Sequence, residues 1–265
     1  MKKTLLLLLR ISRPEYNNTL VYDHKLYMNL QENFRKSNLN SGQYDKYEGA
    51  ILKGPNIMNH IKSGQILTYK LDENGIVYKD NKAFIFCMYA MTFDPALYDK
   101  NRGEYIFNIS WDYIKPLWDN GGTEIMIIKN TSVFLDAFML SAKNKGMKAE
   151  SRIVKYDLQE LLENDSYFYY ALKSDFEAVY HKIDSYSEQN EYRLAVVGNN
   201  NDDDHLVLDL VTEQQILFTT CMLEYGKNII IRITDMEFEE KTNLPKRFSA
   251  NIELYAPEKP LERMY

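Results

Sequence analysis

Apolar and polar positions along the chain follow mostly the two-residue period of β-strands. The continuous apolar runs Leu5–Leu9 and Ala83–Met91 predict interior strands, because a strand buried on both faces has no polar alternation. Shorter or alternating runs predict the other strands, which are Lys25–Leu30, Glu124–Lys129, Arg152–Asp157, Leu194–Val197, Leu206–Val211, part of Ile216–Leu223 and Asn228–Thr234.

A hairpin is predicted around Asp72–Gly75, between the strands Ile66–Tyr69 and Ile76–Tyr78. Its Asn-Gly pair suits the positive φ angles of a tight turn. Polar or glycine- and proline-containing stretches predict turns and loops, at Ser12–Asn18, Ser37–Gln43, Gly54-Pro55 and Gly198–His205.

Helices are predicted at fewer places than strands. Gln31–Arg35 and Trp111–Trp118 are short candidates, the second ended by Gly121-Gly122. The amphipathic stretch Val133–Lys145 is the longest candidate, and Gly146 is a natural stop after it. Ser174-x-x-Glu177 has the pattern of a capping box and predicts a helix to about Lys182.

Together these elements predict an α+β fold with a mixed, largely antiparallel sheet and packed helices, in a single domain spanning residues 1–265. No strand–helix alternation is present, and no glycine-rich turn joins a strand to a helix. The sequence therefore does not predict a Rossmann domain.

Composition narrows the functional classes. The chain has 265 residues, a net charge of −6 and a pI near 5.4, so it lacks an overall basic surface for nucleic acid. Cys87 and Cys221 are far apart, which fits a reduced cytoplasmic setting. The apolar run after Lys3 ends at Arg10 after five leucines, so it predicts a strand and neither a signal peptide nor a membrane span.

The segment Gln189-x-Glu191-x-Arg193 holds the first candidate site. If a strand begins at Gln189, these three polar side chains share one face, while Tyr192, Leu194 and Val196 face a core. One interpretation is a solvated face with Arg193 paired to a carboxylate. The other is a catalytic carboxylate, Glu191, that contacts a ribose hydroxyl and stabilises positive charge on the sugar, with Gln189 orienting the nucleophile.

The segment Tyr44–Gly49 is the second candidate. Asp45 and Glu48 are three residues apart and would meet on one face of a helical turn. They suit either an acidic turn or, together with Glu191, a magnesium or manganese site. Tyr44 and Tyr47 could stack on a flat ligand ring.

Arg10 is the third candidate, because it ends an apolar strand and a guanidinium suits phosphate groups. The four histidines, at positions 24, 60, 181 and 205, show neither metal-like spacing nor a nucleophilic partner, so no resident metal is predicted. The loop at positions 199–204 is rich in Asn and Asp but lacks the glycine and the glutamate of a calcium loop.

Three segments carry a resemblance to a functionally unassigned family of bacterial and phage proteins that is often found near defence genes. They are Leu26–Asn29 through Tyr44–Gly49, then Phe84–Ala90, then His181-Lys182 through Gln189–Arg193. The similarity covers about residues 20–235. The Gln-x-Glu that enters a strand also resembles the catalytic motif of mono-ADP-ribosyltransferases, including those that modify nucleic acid.

That resemblance implies an ADP-ribosyltransferase-like fold and NAD as the substrate cofactor. It implies that Glu191 is the catalytic carboxylate and that Gln189 orients the target. It also implies cofactor-binding residues, which are Arg10 as the dinucleotide clamp, Tyr27 or Tyr47 as the stacking aromatic residue, and Arg193.

Three functional hypotheses follow. The first is a phage- or defence-associated, toxin-type transferase that uses NAD to modify a nucleic acid or a protein, with a possible antitoxin or defence-system partner. The second is a non-catalytic binding or inhibitor protein that engages a partner or a nucleotide in a conflict system. The third is a metal-dependent nuclease built on Asp45, Glu48 and Glu191.

Overall fold

A computed structural model describes residues 4–36, 44–53, 69–79, 82–198, 204–239 and 244–255. The strands within these ranges are β1 Leu5–Ser12, β2 Lys25–Leu30, β3 Ala50–Lys53, β4 Tyr69–Leu71, β5 Ile76–Lys79, β6 Ala83–Thr92, β7 Tyr98–Asp99, β8 Glu104–Ile109, β9 Glu124–Ile128, β10 Lys148–Ile153, β11 Glu191–Val197, β12 His205–Asp209, β13 Phe218–Met222, β14 Asn228–Phe238 and β15 Pro245–Tyr255. The α-helices are α1 Pro14–Asp23, α2 Trp111–Asp119, α3 Thr131–Asn144, α4 Leu158–Leu161 and α5 Asp165–Lys173. Short 3₁₀ helices cover Gln31–Arg35, Pro95–Leu97, Glu177–Val179 and Asp184–Gln189.

Most of the apolar runs form strands where the sequence predicts them. β2 matches its predicted bounds, and β1, β6 and β9 each differ from theirs by three residues at most. Residues 6–9 of β1 are buried, as expected for an interior strand. Among the helices in the described ranges, none combines the length and the apolar character needed to cross a bilayer.

The hairpin between β4 and β5 is confirmed, with a smaller role for Asn-Gly than predicted. Gly75 has a φ of 70°, whereas Asn74 is not among the positive-φ residues. Asp72 organises the turn, because its Oδ1 accepts hydrogen bonds from the backbone N–H groups of Asn74 and Ile76. Residues 66–68 of the predicted first strand and the predicted turns Ser37–Gln43 and Gly54-Pro55 lie outside the described residues, as do positions 199–203 of the predicted loop Gly198–His205.

Three local predictions are wrong. Ser12–Asn18 is not a turn, because α1 begins at Pro14, whose fixed φ suits the first position of a helix. Ser174 does accept a hydrogen bond from the N–H of Glu177, but the Glu177 side chain binds Arg152 and His181 and does not close the capping box. Only a 3₁₀ turn follows it. The predicted strand Arg152–Asp157 begins earlier and ends at Ile153.

The fold class is α+β with mostly antiparallel sheets. All strand pairs whose register is defined in the described residues are antiparallel, and the isolated bridge between Lys155 and His181 is parallel. The chain packs as two compact units. The prediction of a single domain is not tested by this division and stays a prediction.

The first unit comprises the described parts of Met1–Asp23, Tyr89–Phe134 and Gln214–Tyr265. In it, β1 pairs with the last residues of β6 on one side and with β9 on the other, and β9 also pairs with β13. A second sheet has the order β15-β14-β8-β7. The core of this unit consists mainly of leucine and isoleucine side chains from these strands, together with Met91, Tyr105, Ile114 and Leu223.

The second unit comprises the described parts of His24–Met88 and Leu135–Glu213. The first residues of β6 lie beside β11 and pair with β2, while β10 pairs with the other side of β11 and β12 with the other side of β2. A small sheet has the order β3-β5-β4, and its apolar residues pack with α4 and α5. This unit holds all the candidate site residues except Arg10.

The end of α2 depends on Gly121, which has a φ of 87°. A Cβ placed there would lie 2.8 Å from Nε of Arg13. Gly121→Ala is therefore expected to lower the free energy of unfolding by about 1–3 kcal/mol. Gly226→Ala is the matched control in urea unfolding, because Gly226 has a φ of 77° and open space around it. An equal loss in both variants would show that the contact with Arg13 adds nothing.

Candidate functional site

The segment from Gln189 to Arg193 does not form one continuous strand. Gln189 is the last residue of a 3₁₀ helix, and β11 begins at Glu191. Asn190 separates them in the left-handed conformation, with φ 39° and ψ 48°, which interrupts the extended backbone. The prediction that three polar residues share a strand face is therefore right for Glu191 and Arg193 and wrong for Gln189.

Both faces of β11 are buried. Tyr192, Leu194 and Val196 are buried as predicted. Glu191 and Arg193 on the opposite face are only 6% and 1% exposed, so the interpretation of a water-facing strand is wrong. The proposed pairing of Arg193 with a carboxylate is correct, because a charge this deep requires a charged partner.

Arg193 binds two glutamates at once. Its Nη1 and Nη2 donate to the two carboxylate oxygens of Glu48, each at 2.7 Å, in a bidentate pair. Its Nε donates to Oε1 of Glu191 at 2.6 Å. Nη1 also donates to the backbone carbonyl of Val179. The guanidinium thus joins the turn that carries Glu48 to the start of β11.

Lys182 is a second cation in the same place. Its Nζ lies 2.8 Å from Oε2 of Glu191 and donates to Oε1 of Gln189 at 2.8 Å. The backbone N–H of Glu191 donates to the hydroxyl of Tyr156 at 2.8 Å. Each carboxylate oxygen of Glu191 therefore faces a cation, and Glu191 has one defined position.

These charges reinforce one another. Burial raises the pKa of Glu191, but the nearby charges of Arg193 and Lys182 lower it by more, so its pKa lies well below the ordinary range. Burial lowers the pKa of Lys182, but the charges of Glu191 and the other acids raise it by more, so the net change in this pKa is upward. Glu191 is therefore ionised at neutral pH, and Lys182 is protonated. Burial, followed by the charge of Glu191, also raises the pKa of the Cys87 thiol.

Asp45 adds a third carboxylate to this group. Its Oδ1 accepts a hydrogen bond from the N–H of Tyr47, while its buried Oδ2 has no hydrogen-bond partner among the described residues. Nζ of Lys182 is 4.0 Å from that oxygen. Burial and then the charge of Glu48 raise the pKa of Asp45 from 3.8 to about 6. We call Asp45, Glu48, Lys182, Glu191 and Arg193 the Glu191 cluster; it has three acids and two bases.

The structure brings the two predicted acidic segments together. Their carboxylates are paired with cationic side chains, unlike the carboxylates of the metal site predicted from the sequence. Asp45, Glu48 and Glu191 face the cations Arg193 and Lys182. Within the described part of the chain, no group of three or more His, Cys, Asp or Glu side chains is arranged to hold a metal ion.

A second charged cluster was missed by the sequence analysis. Nδ1 of His181 lies 2.5 Å from Oδ1 of Asp157, and its Nε2 lies 2.8 Å from Oε1 of Glu177. The other oxygen of Glu177 accepts a hydrogen bond from Arg152 at 2.8 Å. Burial raises the pKa of Glu177, but hydrogen bonds from Arg152 and His181 lower it by more, and the net change is downward. Glu177 and His181 are four residues apart in the sequence, but Asp157 is 24 residues from His181, so sequence spacing marks only part of this cluster.

The aromatic candidates already have neighbours. Tyr27 is 38% exposed and stacks on the ring of His205, with centroids 4.8 Å apart. Tyr47 is half-buried; its hydroxyl accepts a hydrogen bond from Nζ of Lys53 at 3.1 Å, and that ammonium also lies near the ring face. Arg10 is a half-buried residue of β1 in the first unit. The NAD-binding roles of these three residues stay predictions.

Comparisons with protein-family models, with curated proteins and with solved structures found no match to this chain. The resemblance to the unassigned bacterial and phage family therefore stays a prediction, as does the likeness to mono-ADP-ribosyltransferases.

Proposed function

We propose that this protein is an ADP-ribosyltransferase-like enzyme that uses NAD to modify a nucleic acid or a protein, with Glu191 as the catalytic carboxylate. One observation carries the proposal. Glu191 is ionised and held at the start of a strand by Arg193 and Lys182, and the Gln189 of the same motif binds the same lysine.

The proposed reaction needs a fixed negative charge. The bond between nicotinamide and the ribose breaks, and nicotinamide leaves with the bonding electrons. A nucleophile of the target then bonds to the ribose carbon and releases its proton to water. Positive charge develops on the sugar between these events, and a carboxylate that is already ionised and positioned stabilises it without reorganising. Gln189 orients the nucleophile.

The direct test is incubation of the wild-type protein with NAD labelled in the adenylate phosphate, in the presence of DNA, RNA or cell-extract protein. We expect transfer of label to one of these classes. Glu191→Gln is expected to reduce transfer by at least about 100-fold, the typical effect of losing one preorganised electrostatic group. Gln189→Ala is expected to preserve NAD cleavage and to reduce transfer to the target.

The control must separate catalysis from folding, since Glu191→Gln also alters a buried ion cluster. Glu177→Gln removes a carboxylate of similar burial from the second charged cluster of the same unit. It is expected to lower stability and to leave the transfer rate per folded molecule unchanged. Intact NAD after prolonged incubation with all three target classes would argue strongly against the enzyme.

The second candidate is a non-catalytic binding or inhibitor protein that engages a partner or a nucleotide. This candidate is favoured because both carboxylate oxygens of Glu191 already face cations and the residue is nearly inaccessible to solvent. A buried ion cluster of this kind also serves structure alone. Calorimetry with NAD distinguishes the candidates, because a binder gives saturable heat without release of nicotinamide.

A further inference from the structure

We infer that Lys182 is the positioning residue that holds Gln189 and Glu191 in a fixed relation to each other. The inference rests on the proposed transferase function and adds a residue to it. One ammonium group, Nζ of Lys182, lies 2.8 Å from Oε2 of Glu191 and 2.8 Å from Oε1 of Gln189. Both residues of the proposed catalytic motif therefore depend on the same atom.

The backbone around Lys182 is well anchored. Its N–H donates to the carbonyl of Lys155 at 2.9 Å, and its own carbonyl accepts from the N–H of Leu158 at 3.0 Å. The side chain is buried, and Nζ lies 5.1 Å from the centre of the Tyr186 ring. An ammonium has three donors and can serve two oxygens while it contacts an aromatic face. These contacts together fix the position of Nζ.

Gln189 depends on the contact with Lys182 for its position because it lies outside β11. Left-handed Asn190 separates it from β11, whose register with β10 covers Tyr192 to Val197, while the carbonyl of Glu191 accepts a hydrogen bond from the N–H of Val154 at 2.8 Å. The amide oxygen of Gln189 must be the atom that faces Lys182, since an ammonium only donates. If the amide nitrogen contacts the target, the contacting atom of the target is a hydrogen-bond acceptor, because this nitrogen only donates.

Lys182→Met keeps the aliphatic stem and removes the charge. We expect kcat for transfer to fall by about 100-fold, as for a reacting group that has lost its positioning, with the KM for NAD changed by less than about threefold. The ratio of transfer to NAD hydrolysis is also expected to fall, because Gln189 is released. Lys182→Arg should recover most of this ratio.

Lys79→Met is the matched control in the same unit. Nζ of Lys79 donates to the backbone carbonyls of Ala171, Leu172 and Ser174 at the end of α5. Its replacement should lower the melting temperature and leave the ratio of transfer to hydrolysis unchanged. If the wild-type protein does transfer ADP-ribose, an unchanged ratio of transfer to hydrolysis in Lys182→Met overturns only the positioning role of Lys182. The proposed function would then stand.

A second measurement does not require Lys182→Met to fold. The ¹⁵N resonance of the Lys182 ammonium, observed by NMR in the wild-type protein, is expected to shift in Gln189→Ala, because its hydrogen-bond acceptor is lost. The Lys79 resonance is the internal reference. No shift would show that the two side chains are not in contact and would overturn the inference. If the wild-type protein does not turn over NAD, the proposed function is wrong, and the positioning role of Lys182 in that reaction is wrong with it.

Discussion

Replacing Arg193 with methionine is expected to lower the free energy of unfolding by about 3–5 kcal/mol, the range for removing one partner of a buried ion pair. The substitution leaves Glu48 and Glu191 facing each other without the guanidinium that binds both. Desolvation of Glu48 is then no longer offset by the guanidinium, and Glu191 keeps only Lys182 as a cationic partner. Urea unfolding followed by far-ultraviolet circular dichroism measures the loss.

Arg232→Met is the matched control, because Arg232 also lies on a strand and also pairs with two glutamates, Glu104 and Glu253. Its side chain is 29% exposed, so water replaces the lost partners and the expected cost is about 1 kcal/mol or less. A loss for Arg193→Met no greater than that of the control would mean that the Glu191 cluster is hydrated in solution.

Asp45→Asn is expected to stabilise the protein at pH 8 by about 3 kcal/mol, the energy of a pKa difference of about two units. The folded-state pKa of Asp45 is about 6, against 3.8 as the ordinary value. Well below pH 3.8 the carboxyl is protonated in both states and contributes no penalty. As the pH rises from about 4 to about 6, the unfolded chain ionises Asp45 while the folded protein keeps the proton, so stability falls, and the fall levels off above pH 6. The folded protein resists ionisation because Asp45 is buried and its Oδ2 has no hydrogen-bond partner among the described residues. Asparagine keeps the acceptor for the N–H of Tyr47 and removes this charge.

The measurement is a series of urea unfolding curves between pH 4 and pH 8 for the wild-type protein and for Asp45→Asn. The difference between the two should grow with pH and level off above the pKa of Asp45. Asp72→Asn is expected to change stability in the opposite direction. Hydrogen bonds in the turn outweigh the effect of burial and lower the pKa of Asp72. Its replacement should cost stability at neutral pH, and the cost should disappear in acid. Parallel curves for the wild-type protein and Asp45→Asn would show that Asp45 does not titrate in this range.

The interior strands could be predicted from the sequence because burial on both faces requires a continuous apolar run, whereas β3, β7, β8 and β15 were not predicted. The runs that became β1 and β6 are apolar throughout, and few other structures accommodate such runs. Helices were harder to predict. The sequence Asp165–Lys173 is rich in tyrosine and weakly patterned, and α5 forms there because its apolar residues pack on the small sheet of the second unit.

The candidate site was predicted in part. Glu48, Glu191 and Arg193 were each selected as local motifs, and they do lie together. Their pairing could not be predicted, because nothing in a single sequence relates residue 48 to residue 193. Lys182 was missed as a site residue for the same reason. The break at Asn190 was missed because any strand-like pattern extends naturally through one polar residue.

The contact between Glu48 and Arg193 spans 145 residues of chain. Closing so long a loop costs conformational entropy before any attraction is gained, so we expect local hairpins such as β4–β5 to form earlier. Before that step both side chains are expected to be hydrated and to attract each other only weakly. We therefore expect the charges that hold Glu191 to act at the end of folding, and to slow unfolding more than they speed folding.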